Sequence, residues 1–263
     1  AGLDGGHGRR RRHACPVCLL CRFRGIALRD RWIGVGQHPL NNINAAPSAH
    51  DNTALKLLHE TRSALLVVDM QVDFCSADGY VASLGLNPAP CRDIVPILLE
   101  FIDGARSNEI PVLWVLANYD DALVPPTFLR RKREAGIDRD CCIPGTDGFE
   151  PYGVSPAEGE HQFIKHSYSA FTNPEFEKHL RSTNIETLVF AGVQTNVCIE
   201  ATLRDAYNRG FHVVVAEDCV ASHSPLLHES TLQNVRVLLG NVAPAIDIQS
   251  AWQKNIQTHK KEA

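Results

Sequence analysis

Residues 187–210 read TLVFAGVQTNVCIEATLRDAYNRG, and this stretch decides the fold. Thr187–Val193 is a short apolar run without charge, the pattern of a strand buried on both faces. Val197 to Asn208 reads as a helix, closed by Gly210. A second apolar run, FHVVVAE at 211–217, follows at once and reads as another strand. Strand, helix and strand in that order make a parallel unit with the helix packed over the sheet.

The same alternation extends in both directions. Upstream, Ala64–Asp69 (ALLVVD) is a buried strand. Arg92 to Asn108 carries Ile94, Ile97, Leu98, Phe101, Ile102 and Ala105 at helical spacing. Pro111–Leu116 (PVLWVL) is a second strand and Gln162–His166 a short third one. Asn173-Pro174 opens a helix, with Asn as cap and Pro at the first helical position. Downstream, Ser224-Pro225 starts a helix that runs to about Leu239, and Ala245–Ile248 reads as the sixth strand. Between 118 and 161 the chain is loop-rich, with Pro125, Pro126, Pro144, Gly145, Pro151 and Pro156. That is too long for a plain connection and predicts a lid or a wall of the functional site. The fold class is α/β, a parallel sheet covered on both faces, over residues 56–258.

Residues 1–55 differ. They show no sustained periodicity, and the first fifty hold eight Arg against two Asp, while the whole chain has a net charge of −4. The body is therefore acidic, which speaks against binding nucleic acid. The Arg-rich, acid-poor start is compatible with a transit peptide; a poorly ordered extension is the reading taken. Cys15, Cys18 and Cys21 with His13 have a spacing suited to zinc, but no second ligand pair follows at finger distance. No run of about 18 apolar residues is present, so no membrane helix is expected. Nine scattered cysteines, an odd number, predict a reducing, cytoplasmic setting rather than a disulfide framework.

In a parallel sheet, ligands bind beyond the carboxyl ends of the strands. Asp69 stands after strand one, Lys165 at the end of strand three, and Cys198 just beyond strand four, in the first turn of a helix. A helix start and a nearby ammonium both favour a thiolate. A carboxylate beside the sulfur can take the thiol proton and pass it to a leaving nitrogen. Spacing alone leaves the plain alternatives open: a buried cysteine, a loop-capping aspartate and a surface lysine. His166 follows Lys165 and, by strand alternation, points to the opposite face. The adjacent Cys141 and Cys142 are assigned no role.

LLVVDMQVDF (65–74), KHSYSAF (165–171) and GVQTNVCIEATLRDA (192–206) together resemble the cysteine hydrolases of the isochorismatase-like superfamily. The likeness runs from about Ser63 to Trp252. It implies a three-layer αβα, Rossmann-like fold whose six parallel strands are ordered 3-2-1-4-5-6. It implies an Asp69–Lys165–Cys198 catalytic triad and a cis peptide at Val193-Gln194, with the Gln194 and Cys198 N–H groups as oxyanion hole. It also implies a small-molecule amide or ureido substrate and a homo-oligomer, a dimer or tetramer. Nicotinamidases of this superfamily carry an Asp-x-His metal motif after strand two. Here that place reads Ala117-Asn118-Tyr119-Asp120-Asp121, and no His occurs between Leu116 and Glu160, so no metal and no other cofactor is expected. The wording sits nearest the ureidoacrylate amidohydrolase, biuret hydrolase and N-carbamoylsarcosine amidase group, through DGY at 78–80, Asn118 and Tyr168. Phe74, Asn118 and Tyr168 are the candidate substrate-binding residues, and Arg130, Arg131, Lys132 or Arg133 could hold a substrate carboxylate. The alternatives are nicotinamidase or isochorismatase activity, or a relative that binds a ligand without catalysis.

Overall fold

The first strand, β1 (Ser63–Val68), is buried along its whole length. Its side chains alternate between two cores: Leu65 and Val67 enter one, Ala64, Leu66 and Val68 the other. A strand buried on both faces needs helices above and below it, and the chain supplies them in sequence order. The computed structural model describes residues 52–262, with side chains described for 56–253. The His13–Cys21 spacing and the Arg-rich start lie outside the described residues.

Helix α1 (Asn52–Glu60) precedes β1. Short helices α2 (Val72–Cys75), α3 (Tyr80–Ser83) and α4 (Ala89–Asp93) lead into α5 (Val95–Ser107), which returns the chain to β2 (Val112–Ala117). Then come α6 (Pro126–Glu134), β3 (His161–Lys165), α7 (Pro174–Ser182) and β4 (Thr187–Val193). The remainder is α8 (Glu200–Asn208), β5 (His212–Ala221), α9 (Pro225–Asn234), β6 (Asn241–Ala243) and α10 (Ala245–Glu262). The sheet has six strands in the order β3-β2-β1-β4-β5-β6, and every pairing is parallel. The expected strand order and α/β class are both observed. Among the described residues, no helix is long and apolar enough to cross a membrane.

Three readings differ from the structure. The sixth strand is Asn241–Ala243, before Pro244, and Ala245–Ile248 begins α10. Ala245, Ile248, Ala251 and Trp252 are all buried, at the spacing of one helical face; the run 245–248 holds only two of them, too few to distinguish from a strand. Trp252 stacks on Phe101 at 5.2 Å and ties α10 to α5. The stretch 118–161 holds a helix, α6, and Pro126 stands in its first turn; proline suits that position and is not only a loop residue. Finally, Cys198 lies in a wide turn, Thr195–Ile199, ahead of α8. There Ile199 N–H reaches back five residues to the Gln194 carbonyl at 3.2 Å. Such wide turns recur at functional sites.

At the centre of the sheet the backbones of β1 and β4 meet closely. Gly192 has φ 106°, and a Cβ there would collide with the Val68 carbonyl oxygen. Glycine at 192 therefore lets β4 end beside β1, which brings the segments after both strands together.

Candidate active site

The turn after β1 starts at Asp69, whose φ of 52° is left-handed, a region aspartate enters more readily than most residues. Asp69 N–H still donates to Val115 O at 2.8 Å, so the residue is fixed to β2 while its side chain lies past the end of the sheet. Gln71 locks the turn: its amide nitrogen donates to Ala117 O and Phe149 O, and its oxygen accepts from Ala117 N. Asp73 accepts from Tyr80 N at 3.0 Å and Cys142 N at 2.6 Å. The DMQVD segment thus links the end of β1 to β2 and to the connection that follows.

Lys165 is the last residue of β3, and its register partner on β2 is Ala117. The small alanine leaves room for the lysine stem to cross β2. The ammonium then reaches Asp69 Oδ2 at 2.9 Å, Cys198 Sγ at 3.4 Å and Tyr119 Oη at 2.9 Å. Tyr119 Oη lies 3.4 Å from the same sulfur. All four side chains are buried. Asp69, Lys165 and Cys198, far apart in sequence, therefore meet in one cluster with Tyr119.

The electrostatics correct one expectation. Burial pushes the Cys198 thiol up to about 12, and the Asp69 carboxylate adds to the rise; Lys165 opposes it without prevailing. Burial and Asp69 thus favour the thiol over the thiolate that a helix start and a cation would favour. Desolvation dominates because the sulfur is enclosed. Burial also raises Asp69, against the pull of Lys165. For Lys165 burial is the largest single influence and pulls it down, but the charges and hydrogen bonds of Asp69 and Cys198 together outweigh it and the ammonium goes up.

A cavity of about 240 Å³ opens onto this cluster. Phe74, Tyr119, Phe128 and Tyr168 form its aromatic wall, with Tyr119 edge-on to Phe74 and Tyr168 at 6.3 and 6.4 Å. Gln194 and Cys198 line its base, and Lys132, Arg139 and His223 also face it. The 118–161 connection supplies much of the wall, as its length predicted. Phe74 and Tyr168 are therefore at the cavity. Asn118 lies outside this lining; its side chain accepts from Asp120 N and its carbonyl from His166 Nδ1 at 2.9 Å. His166 is thus turned toward the β2 end and is not a partner of the thiol. Of the four-residue basic run, Lys132 reaches the cavity, while Arg130 and Arg131 pair with Glu134 on the surface.

Tyr119, Arg139 and His223 were given no role in the sequence reading. Tyr119 follows Asn118 at the carboxyl end of β2, so its position at a strand end was a usable signal. Arg139 stands in an irregular loop, and no local pattern marks it. Gln194 receives two bonds from His223, from N at 3.0 Å and Nδ1 at 3.1 Å.

Residues 63–250 match the isochorismatase domain family. The chain belongs to that family. Among its relatives is a ureidoacrylate amidohydrolase RutB of Methylobacterium radiotolerans, 30% identical over 71% of this chain and 78% of the relative. A RutB of Klebsiella pneumoniae is 29% identical over 72% and 85%. Among solved structures, an isochorismatase family protein from Desulfovibrio vulgaris superposes with a TM-score of 0.64 at 26% identity, covering 74% of this chain and all of that one. Nicotinamidase PncA from Bacillus subtilis gives 0.59 at 28%, covering 70% and 99%. The Val193-Gln194 peptide is cis, as the resemblance to this family implied.

Proposed function

We propose that this isochorismatase-family chain is a cysteine amidohydrolase that cleaves a C–N bond of a small ureido or carbamoyl amide without a catalytic metal. The observation that carries the reading is the ammonium of Lys165 held at 2.9 Å from Asp69 and 3.4 Å from the sulfur of Cys198, a residue that lines the cavity. The likeness to the RutB enzymes supports the ureido class, and the replacement of Asp-x-His by Asn118-Tyr119-Asp120 supports the metal-free route.

In this mechanism Asp69 takes the proton from the Cys198 thiol as the sulfur attacks the ureido carbonyl. A neutral resting thiol suits this order, because the proton is still present to be passed on. Lys165 offsets the Asp69 charge in the ground state and stabilises the sulfur as its negative charge develops. The N–H groups of Gln194 and Cys198 receive the oxyanion. Asp69 then delivers the proton to the departing nitrogen as the C–N bond breaks. That nitrogen leaves as ammonia; water, with Asp69 as base, then breaks the C–S bond of the acyl- or carbamoyl-thioester, the acid or carbamate leaves, and the proton held by Asp69 returns to the Cys198 sulfur. Tyr119 positions the Lys165 ammonium and the sulfur through its hydroxyl. Lys132 and Arg139 at the cavity suit a substrate that carries a carboxylate.

The test is ammonia release from ureidoacrylate, biuret, an N-carbamoyl amino acid and nicotinamide, with wild type and Cys198→Ala in parallel. Turnover is expected with a ureido acid, with a loss on the order of 10⁴-fold or more in Cys198→Ala, the scale of deleting a triad nucleophile. Turnover of nicotinamide alone, or an unimpaired Cys198→Ala, overturns the reading.

A further inference from the structure

Beside the cavity, which Cys141 lines, stands a second group of ligand atoms that the proposed chemistry does not use. Cys141 and Cys142 are both buried. In an extended chain, neighbouring side chains point to opposite faces. Cys142 instead has φ 53°, and its sulfur lies 3.7 Å from that of Cys141. Asp73 is also buried, and its carboxylate and the two sulfurs all lie within 4.8 Å of one another.

Two sulfurs each about 2.3 Å from a tetrahedral zinc stand about 3.8 Å apart. The cysteine pair already has that spacing. The carboxylate is oriented by its bonds from Tyr80 N and Cys142 N, and each oxygen has a further lone pair to offer. Fixing a metal-ligating carboxylate through such donors is how ligand geometry is commonly set. Gly148 lies directly over Asp73, and a Cβ there would collide with the carboxylate.

The cluster also has two approaches. Cys141 lines the substrate cavity. On the other side Asp73 faces a cleft of about 550 Å³ lined by Asp138, Asp140 and Asp147, with Arg139 as its one basic lining residue. That surplus of carboxylates raises the local concentration of cations.

We infer that Cys141, Cys142 and Asp73 form a binding site for a thiophilic divalent cation of the zinc class, with a fourth position open to water. Binding breaks two S–H bonds and forms two sulfur–metal bonds. The two protons leave to solvent, and nothing is oxidised or reduced. Affinity weakens as pH falls, because the thiols must lose their protons; burial holds the Cys142 thiol well above the ordinary cysteine range. The site is separate from the Asn118–Asp120 position. It connects to the catalytic cluster through the Cys141 carbonyl, which accepts from Tyr119 N at 3.2 Å. A bound ion stiffens the wall at that point.

The probe is Cd²⁺, with Zn²⁺ as competitor, added to the full chain under a phosphine reductant. Cys15, Cys18 and Cys21 are replaced by Ser throughout, so that these thiols cannot contribute. The ultraviolet cadmium–thiolate band and native mass spectrometry report binding. One equivalent is expected in this background and also with Cys198→Ser added. At least a tenfold loss of affinity is expected with Cys141→Ser or Cys142→Ser, and zinc should raise the melting temperature only when both thiols are present. Cys141→Ala is the reserve variant if Cys142→Ser does not fold. Absence of the band, its survival in the Cys141 and Cys142 variants, or its loss in Cys198→Ser overturns the inference.

Discussion

The base and the wall of the cavity are built by different means. Asp69, Lys165 and Cys198 are placed by the ends of β1, β3 and β4, whose spacing is fixed by parallel pairing and by the Gly192 contact. Phe128, Lys132, Arg139 and Cys141 belong to the long connection between β2 and β3, held by bonds such as Asp73 to Cys142 N and Lys132 to Asp121 at 2.7 Å. The strand ends carry the Asp69–Lys165–Cys198 cluster, and the connection meets it at a few points, Tyr119 on Lys165 and Phe149 O on Gln71, leaving the rest of the connection free to differ in shape and charge. On the proposed function, reaction type would rest with the strand ends and substrate choice with the connection.

Breaking the base should cost the most. Lys165→Met leaves the Asp69 carboxylate buried beside no cation. A loss of about 3–5 kcal/mol is expected for removing one member of a buried pair, measured by urea unfolding. Adding Asp69→Asn should recover part of it. Equal stability of the single and double variants would show that the two charges are not coupled.

The protonation of the sulfur gives a second test. With the Cys198 thiol pushed up to about 12, its alkylation by iodoacetamide should be slow at neutral pH and keep rising beyond pH 9, close to tenfold per unit. A plateau near neutrality would mean a resting thiolate and would reverse the proposed order of proton transfer.

The base was largely legible in the sequence because it lies in contiguous motifs at strand ends. Buried apolar runs mark the strands and put Asp69, Lys165 and Cys198 at or beyond their carboxyl ends, but spacing alone leaves their roles open; only the resemblance implies that they act together. The charge state of the sulfur was not legible, since helix position and a nearby cation predict a thiolate, while burial, a three-dimensional property, raises the thiol. The length of the 118–161 stretch predicts a wall or lid, but not which of its residues face the cavity. Its proline pair concealed α6, and Arg139 and the Cys141–Cys142 pair acquire meaning only once Asp73 and the cavity lie beside them. Ala245–Ile248 was misread for a related reason: a short apolar run fits either period until Ala251 and Trp252 extend it.

Altering the wall should have a smaller, selective effect. Arg139→Gln should raise KM for a carboxylate-bearing ureido substrate about tenfold, the scale of one charged hydrogen bond, with kcat and the KM for an uncharged amide little changed. An equal rise for both substrates would remove Arg139 from carboxylate recognition.

The central claim is that Cys198 forms a covalent intermediate with the substrate carbonyl. Rapid acid quench of the enzyme during turnover of a ureido substrate, followed by peptide mass spectrometry, tests it directly. The account predicts a carbamoyl or acyl adduct on the peptide containing Cys198, appearing within the first turnover and absent from Cys198→Ala. Sustained turnover with no adduct on that peptide, or an adduct on another cysteine that forms as fast as product, would contradict it.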